Sequence, residues 1–197
     1  VNHVMLHLRA RHVPQALAVA FAATTAMWLG WLVFSTGEQI GERISALSIA
    51  LACVAVAGTL AGYDESLDET GARPWPRVRA LHLLIAFALL SGLFAISLLT
   101  PMRFGPLGFL IRDVAGALGL TALTAGALGS QRAWFGPVVL SAVNLFWGAP
   151  DDRPMLQALT FMIQPADSIA AGVAAAGLAV IGTLAYMRRP RRPATGL

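Results

Sequence analysis

Four carboxylates and three guanidinium groups fall within the stretch from Tyr63 to Ala80 of a chain that is otherwise mostly apolar. Asp64, Glu65, Asp68 and Glu69 come first, followed by Arg73, Arg77 and Arg79. Ser66-Leu67-Asp68-Glu69 has the spacing of a capping box, in which the serine side chain accepts from a backbone amide three residues on. A short helix or turn over Ser66 to Thr70 is therefore expected, ended by Gly71, Pro74 and Pro76. A simple tether to anionic lipid would use arginines and avoid acids. The mixed charge suits docking on a soluble protein instead, with Leu67 as the apolar contact and Asp64, Glu65, Ser66, Asp68, Glu69 and Arg73 around it.

Few other residues offer chemistry. Histidines near the N-terminus could share a metal, but no acid or cysteine accompanies them there, so no metal site is expected. The lone Cys53 lies among alanines and valines and reads as a small buried hydrophobe. Asn144 is the most polar residue inside an apolar run, suited to a hydrogen bond between helices or to a place on a substrate path. Trp28 and Trp31 close the first apolar run, where indoles favour the membrane interface; a substrate path is the other role open to them. The sequence has no phosphate-binding glycine loop, no paired-histidine zinc helix and no glycine-flanked serine. No catalytic residue can be nominated, and no cofactor is expected on this chain.

These residues need a frame, and composition says which kind. Of 197 residues, 57% are hydrophobic and 12% charged, about half the charged share of a soluble domain. Such a chain belongs in a membrane. All basic side chains are arginines and they cluster at the ends of apolar runs, not along a stripe, so nucleic-acid binding is not expected.

The expected fold is all-α: a polytopic membrane protein of six transmembrane helices, with an amphipathic interfacial helix over residues 1 to 13 and a re-entrant segment before the last helix. The spans are read as Pro14 to Phe34, Ile44 to Gly62, Leu81 to Leu99, Asp113 to Gly129, Trp134 to Trp147 and Ser168 to Met187. The first is expected to be retained, since charged Gly37 to Arg43 follows it and not a small-residue cleavage site. Gly58 and Gly62 form a small-xxx-small pair that would let the second span approach a neighbour closely. The fourth span, rich in alanine and glycine, reads as the interior helix. Pro101 to Arg112 reads as a turn, leaving Asp113 at a helix start near the surface and every span core free of ionisable groups. Gly148 to Asp167 holds nine apolar-leaning residues between prolines, too few to span and suited to a half-buried helix. Residues 188 to 197 form a basic tail.

With both ends in the cytoplasm, ten arginines lie inside and four (Arg43, Arg103, Arg112 and Arg153) outside, as the positive-inside rule requires. The segment from Tyr63 to Ala80 is then cytoplasmic.

This layout resembles the membrane subunit of an ABC exporter with six spans per subunit. The matching features are residues 1 to 13 before the first span, a cytoplasmic loop over Tyr63 to Ala80, and the broken segment Gly148 to Asp167. The local string Leu67-Asp68 with Arg73-Pro74 and Arg79-Ala-Leu-His82-Leu is similar to the loop of small permeases of this class. The resemblance implies a non-catalytic subunit, a second membrane subunit that would make a homodimer, and partner ATPase subunits carrying ATP and Mg. It also implies that the loop docks on the ATPase and that a hydrophobic or amphiphilic molecule is exported. Large extracellular domains found in some relatives have no counterpart here. The alternative is a scaffold or immunity protein that binds a cytoplasmic partner through the same loop.

Overall fold

The computed structural model describes residues 13–35, 37, 39–60, 75–146 and 153–188. Among them are seven α-helices: α1 Val13–Phe34, α2 Glu42–Ala57, α3 Trp75–Ala95, α4 Leu107–Leu128, α5 Phe135–Phe146, α6 Pro154–Leu159 and α7 Ile169–Met187. Tight 3-10 turns prolong α2 through Leu60 and α3 through Leu99. With those turns, α1, α2, α3, α4 and α7 are each long and apolar enough to cross a membrane. The protein is an all-α polytopic membrane protein. Leucines, valines and phenylalanines such as Val19, Phe21, Leu84, Val173 and Val180 remain exposed on its flanks, as lipid contact demands.

The bundle is organised around α4 and α7. Gly116 lies against Phe161 and Ala175, Gly119 against Ala179, and Gly126 against Ala185, so the two helices run parallel. A Cβ on Gly119 would sit 2.5 Å from backbone atoms of Ala179, and one on Gly182 would overlap the carbonyl of Gly119. With no hydrophobic drive between helices in lipid, such close approach provides the packing. The alanine- and glycine-rich fourth span is thus an interior helix, as its composition leads one to expect, and α2 is as deeply buried; Val114, Ala117, Ala122 and Ala125 along α4 are fully buried.

Two expectations need correction. Gly58 has nothing within 4 Å of where a Cβ would stand, so it is not the close-contact glycine of the bundle; that part falls to Gly119 and Gly182. Within the described residues the fifth run is helical over Phe135–Phe146, and residues 147–152 lie outside them. α4 and α7 run the same way, and α5 and α6 lie between them in the chain. Finally, the fourth helix begins at Leu107, six residues earlier than expected. Pro106 has no amide hydrogen to give and holds an extended ψ of 153°, so it closes the preceding loop and opens the helix at once.

The segment before the last helix is described from Arg153 onward. α6 has six residues, none buried, and a 3-10 turn then tucks Phe161, Met162 and Ile163 into the core. Cys53 is buried and unoxidised, in keeping with its small-hydrophobe role.

Candidate functional site

Most side-chain hydrogen bonds that reach from one helix or loop to another lie at the two ends of the bundle. At one end lie the root positions of the charged connection, Leu60 and Trp75, together with the final turn of α7. Thr59 donates its hydroxyl to the carbonyl of Val56 at 2.7 Å and lies 2.9 Å from Nε2 of His82 on α3. That contact joins the turn after α2 to α3 through the His82 ring. The Tyr186 hydroxyl donates to the carbonyl of Leu60 at 3.0 Å. Arg79 donates to the carbonyl of Tyr186 at 3.3 Å, and its guanidinium stands 5.7 Å from the centre of the tyrosine ring. Thr59, His82 and Tyr186 are all buried. Two helices that flank one connection are therefore bonded to each other, and both are bonded to the last helix.

The opposite end is cross-tied through loops. Ser45 donates to the carbonyl of Phe104 at 2.6 Å, the amide of Ile40 to the carbonyl of Arg103 at 2.9 Å, and the Trp28 indole to the carbonyl of Met102 at 3.2 Å. The Phe104 ring meets Phe94 edge-on at 5.3 Å. Gly105 has a φ of 148°, and a side chain there would strike Phe109, so the chain turns into α4 at a position only glycine fills easily. Arg112 then reaches across to the carbonyls of Pro165 and Gln164 at 2.7 and 2.8 Å, pairs with Asp113 at 2.8 Å, and covers the ring of Phe109.

Asp113 is a further correction. It lies in the second turn of α4, wholly buried, and not at an exposed helix start. The neighbouring guanidinium is buried with it, bonds to its Oδ1 and is itself satisfied by two backbone carbonyls. One of its oxygens, Oδ2, has no hydrogen-bond partner.

The sequence-nominated residues are distributed unevenly over this frame. Asp64, Glu65, Ser66, Leu67, Asp68, Glu69 and Arg73 lie outside the described residues. Trp28 and Trp31 both fasten loops: Trp31 donates to the carbonyl of Gly37 at 3.1 Å, as Trp28 does to that of Met102. Asn144 is buried; its amide donates to Leu140 on its own helix at 2.7 Å, and among the described residues it makes no bond to another helix and its Oδ1 has no partner. The three share no bonding partner. Among the described residues, no group of three or more His, Cys, Asp and Glu side chains could hold a metal.

No family model, no curated protein and no solved structure matches this chain. Thr59 and Tyr186 were not singled out in the sequence, and His82 entered only within the string Arg79-Ala-Leu-His82-Leu. Their available signal is position: each is a polar residue within four residues of the end of an apolar run, and two of the runs border the same charged connection.

Proposed function

We propose that this chain is the membrane subunit of an ATP-driven exporter, moved through residues 63–80 by a separate ATPase. The observation that carries the reading is the knot of bonds at the roots of that connection. Thr59 to His82, Tyr186 to Leu60 and Arg79 to Tyr186 join the ends of α2, α3 and α7, so a displacement of the connection is delivered to three helices at once. A connection serving only as a tether has no need of such a joint.

In this reading the short α5 and the following segment complete a sixth crossing, both chain ends face the cytoplasm, and the protein resides in the cell's inner membrane. The ten-to-four division of arginines supports that orientation. Leu67, Asp68 and their acidic neighbours contact the ATPase, which holds ATP and Mg. A second copy of the chain completes the pathway for a hydrophobic or amphiphilic molecule.

The cross-tied opposite end favours a second reading, because a bundle fastened there by Arg112, Ser45 and Trp28 suits a scaffold or immunity protein that only holds a cytoplasmic partner. Purification from native membranes separates the two. The exporter reading expects an ATPase to co-purify, with vanadate-sensitive turnover, and expects a Leu67→Ala/Asp68→Ala variant to insert normally but lose that companion. Recovery of the companion by the double variant at wild-type yield would remove residues 63–80 as the docking site. A stable partner without nucleotide turnover would leave the scaffold reading in place.

A further inference from the structure

Between α3, α4 and α7 lies a cavity of about 400 Å³, within the usual range of about 300–1,000 Å³ for small-molecule sites. Its lining is apolar except for Thr183: Ala80, Leu83 and Phe87 come from α3, and Leu118 and Gly119 from α4. The glycine seam makes the space. Because Gly119 brings α4 against the backbone of α7, α3 cannot also close onto the pair, and a furrow remains along the three-helix junction. Its open rim carries Leu84, which is 62% exposed.

The position of the furrow along the helices identifies what it holds. It spans the half of the bundle nearer the charged connection, and the Arg79 to Tyr186 bridge crosses from α3 to α7 beyond its end. Arg77 lies seven residues before Leu84, two turns up the same helical stripe, about 10 Å along the axis at 1.5 Å per residue. It is exposed, and Arg79 rather than Arg77 is used to bind α7. A guanidinium at the membrane edge above an apolar furrow matches a phosphate headgroup with an acyl chain beneath it.

We infer that this furrow is a binding site for one anionic phospholipid, its acyl chain lying along Leu83, Leu84 and Phe87 and its phosphate on Arg77. The site is independent of the exporter reading and stands whether or not an ATPase binds. Its chain portion would be held by burial of apolar surface and its headgroup by a charge-assisted contact, so the two parts can be removed separately.

Native mass spectrometry of the purified full chain with phosphatidylglycerol or phosphatidylcholine tests it. The wild type should retain one phosphatidylglycerol at least five-fold more tightly than phosphatidylcholine. Arg77→Gln should abolish that preference, Arg77→Lys should keep most of it, and Ala80→Trp, which fills the furrow, should remove the bound lipid of either kind. Circular dichroism melting of each variant separates lost lipid from lost fold. Glycerol phosphate, which has no acyl chain, should not compete. An unchanged preference in a folded Arg77→Gln protein, lipid retained by a folded Ala80→Trp protein, or displacement by glycerol phosphate would each overturn the assignment.

Discussion

The two ends of the bundle are fastened by different means. At the end carrying Arg112, bonds run from side chains to loop carbonyls, so that Gly37 to Gly41, Met102 to Phe104 and Gln164 to Pro165 become one lid over the helices. At the end carrying Tyr186, bonds run between the end turns of α2, α3 and α7. A lid fixes loops relative to each other; a joint passes motion from one helix to the next. The difference suits a molecule that pivots near Arg112 and is driven near Tyr186, and each end can be disturbed without touching the other.

The largest effect should come from the seam that ties the ends together. Gly182→Leu would drive a side chain into the backbone of α4 at Gly119 with no room to relax, and should cost upwards of about 4 kcal/mol. Size-exclusion chromatography of the purified variant should show aggregate in place of a single species. A monodisperse Gly182→Leu protein would mean that α4 and α7 can separate without loss of the bundle, and the two ends would then be free to move apart.

Next in size is the lid. Arg112→Ala removes two bonds to the segment before α7 and leaves Asp113 as a buried carboxylate with no counter-charge. Breaking a buried pair on one side costs about 3–5 kcal/mol. Asp113→Asn added to Arg112→Ala should recover part of the loss, because the buried charge is then gone while the carbonyls of Gln164 and Pro165 stay unmet. Thermal melting in a fixed detergent reads both. Equal melting of the single and double variants would show that the loop bonds, not the ion pair, carry the lid.

Local sequence revealed the helices and their lengths far better than these bonds. An uncharged run such as Val13 to Phe34 has few alternatives in a membrane, and the alanine and glycine content of the fourth run foretold its burial. Arg112 and Asp113 misled because charges beside an apolar run ordinarily mark the membrane edge. Here the guanidinium is satisfied by carbonyls more than fifty residues away, a compensation absent from any local window. Gly58 misled in a related way, since a small residue permits close packing but does not supply the neighbour. Tyr186 and His82 look like ordinary boundary residues until their partners, Leu60 and Thr59, are brought alongside by the fold.

At the other end, Tyr186→Phe keeps the ring and removes only the hydroxyl donated to Leu60. The stability loss should be modest, about 1–2 kcal/mol for a buried carbonyl left unmet. Its functional effect should be larger than that figure suggests. If the exporter proposal holds and the joint transmits motion, the variant should still co-purify with the proposed ATPase, since residues 63–73 are unchanged, but hydrolysis should no longer respond to the membrane subunit. Normal responsiveness in Tyr186→Phe would show that α7 is not driven through this contact.

The smallest expected change makes the sharpest control. Trp28→Phe removes one indole bond to Met102 from the lid, worth about 0.5–1.5 kcal/mol, and leaves the ring's packing largely in place. In melting temperature it should resemble Tyr186→Phe, since each loses a single side-chain-to-carbonyl bond at a bundle end. In ATPase response the two should part: Trp28→Phe unaffected, Tyr186→Phe uncoupled. Matching stability with differing response would tie the functional loss to the position of the bond and not to a general loosening of the bundle. If Trp28→Phe uncouples as fully as Tyr186→Phe, the lid is part of the drive train, and the distinction between a fixed end and a driven end fails.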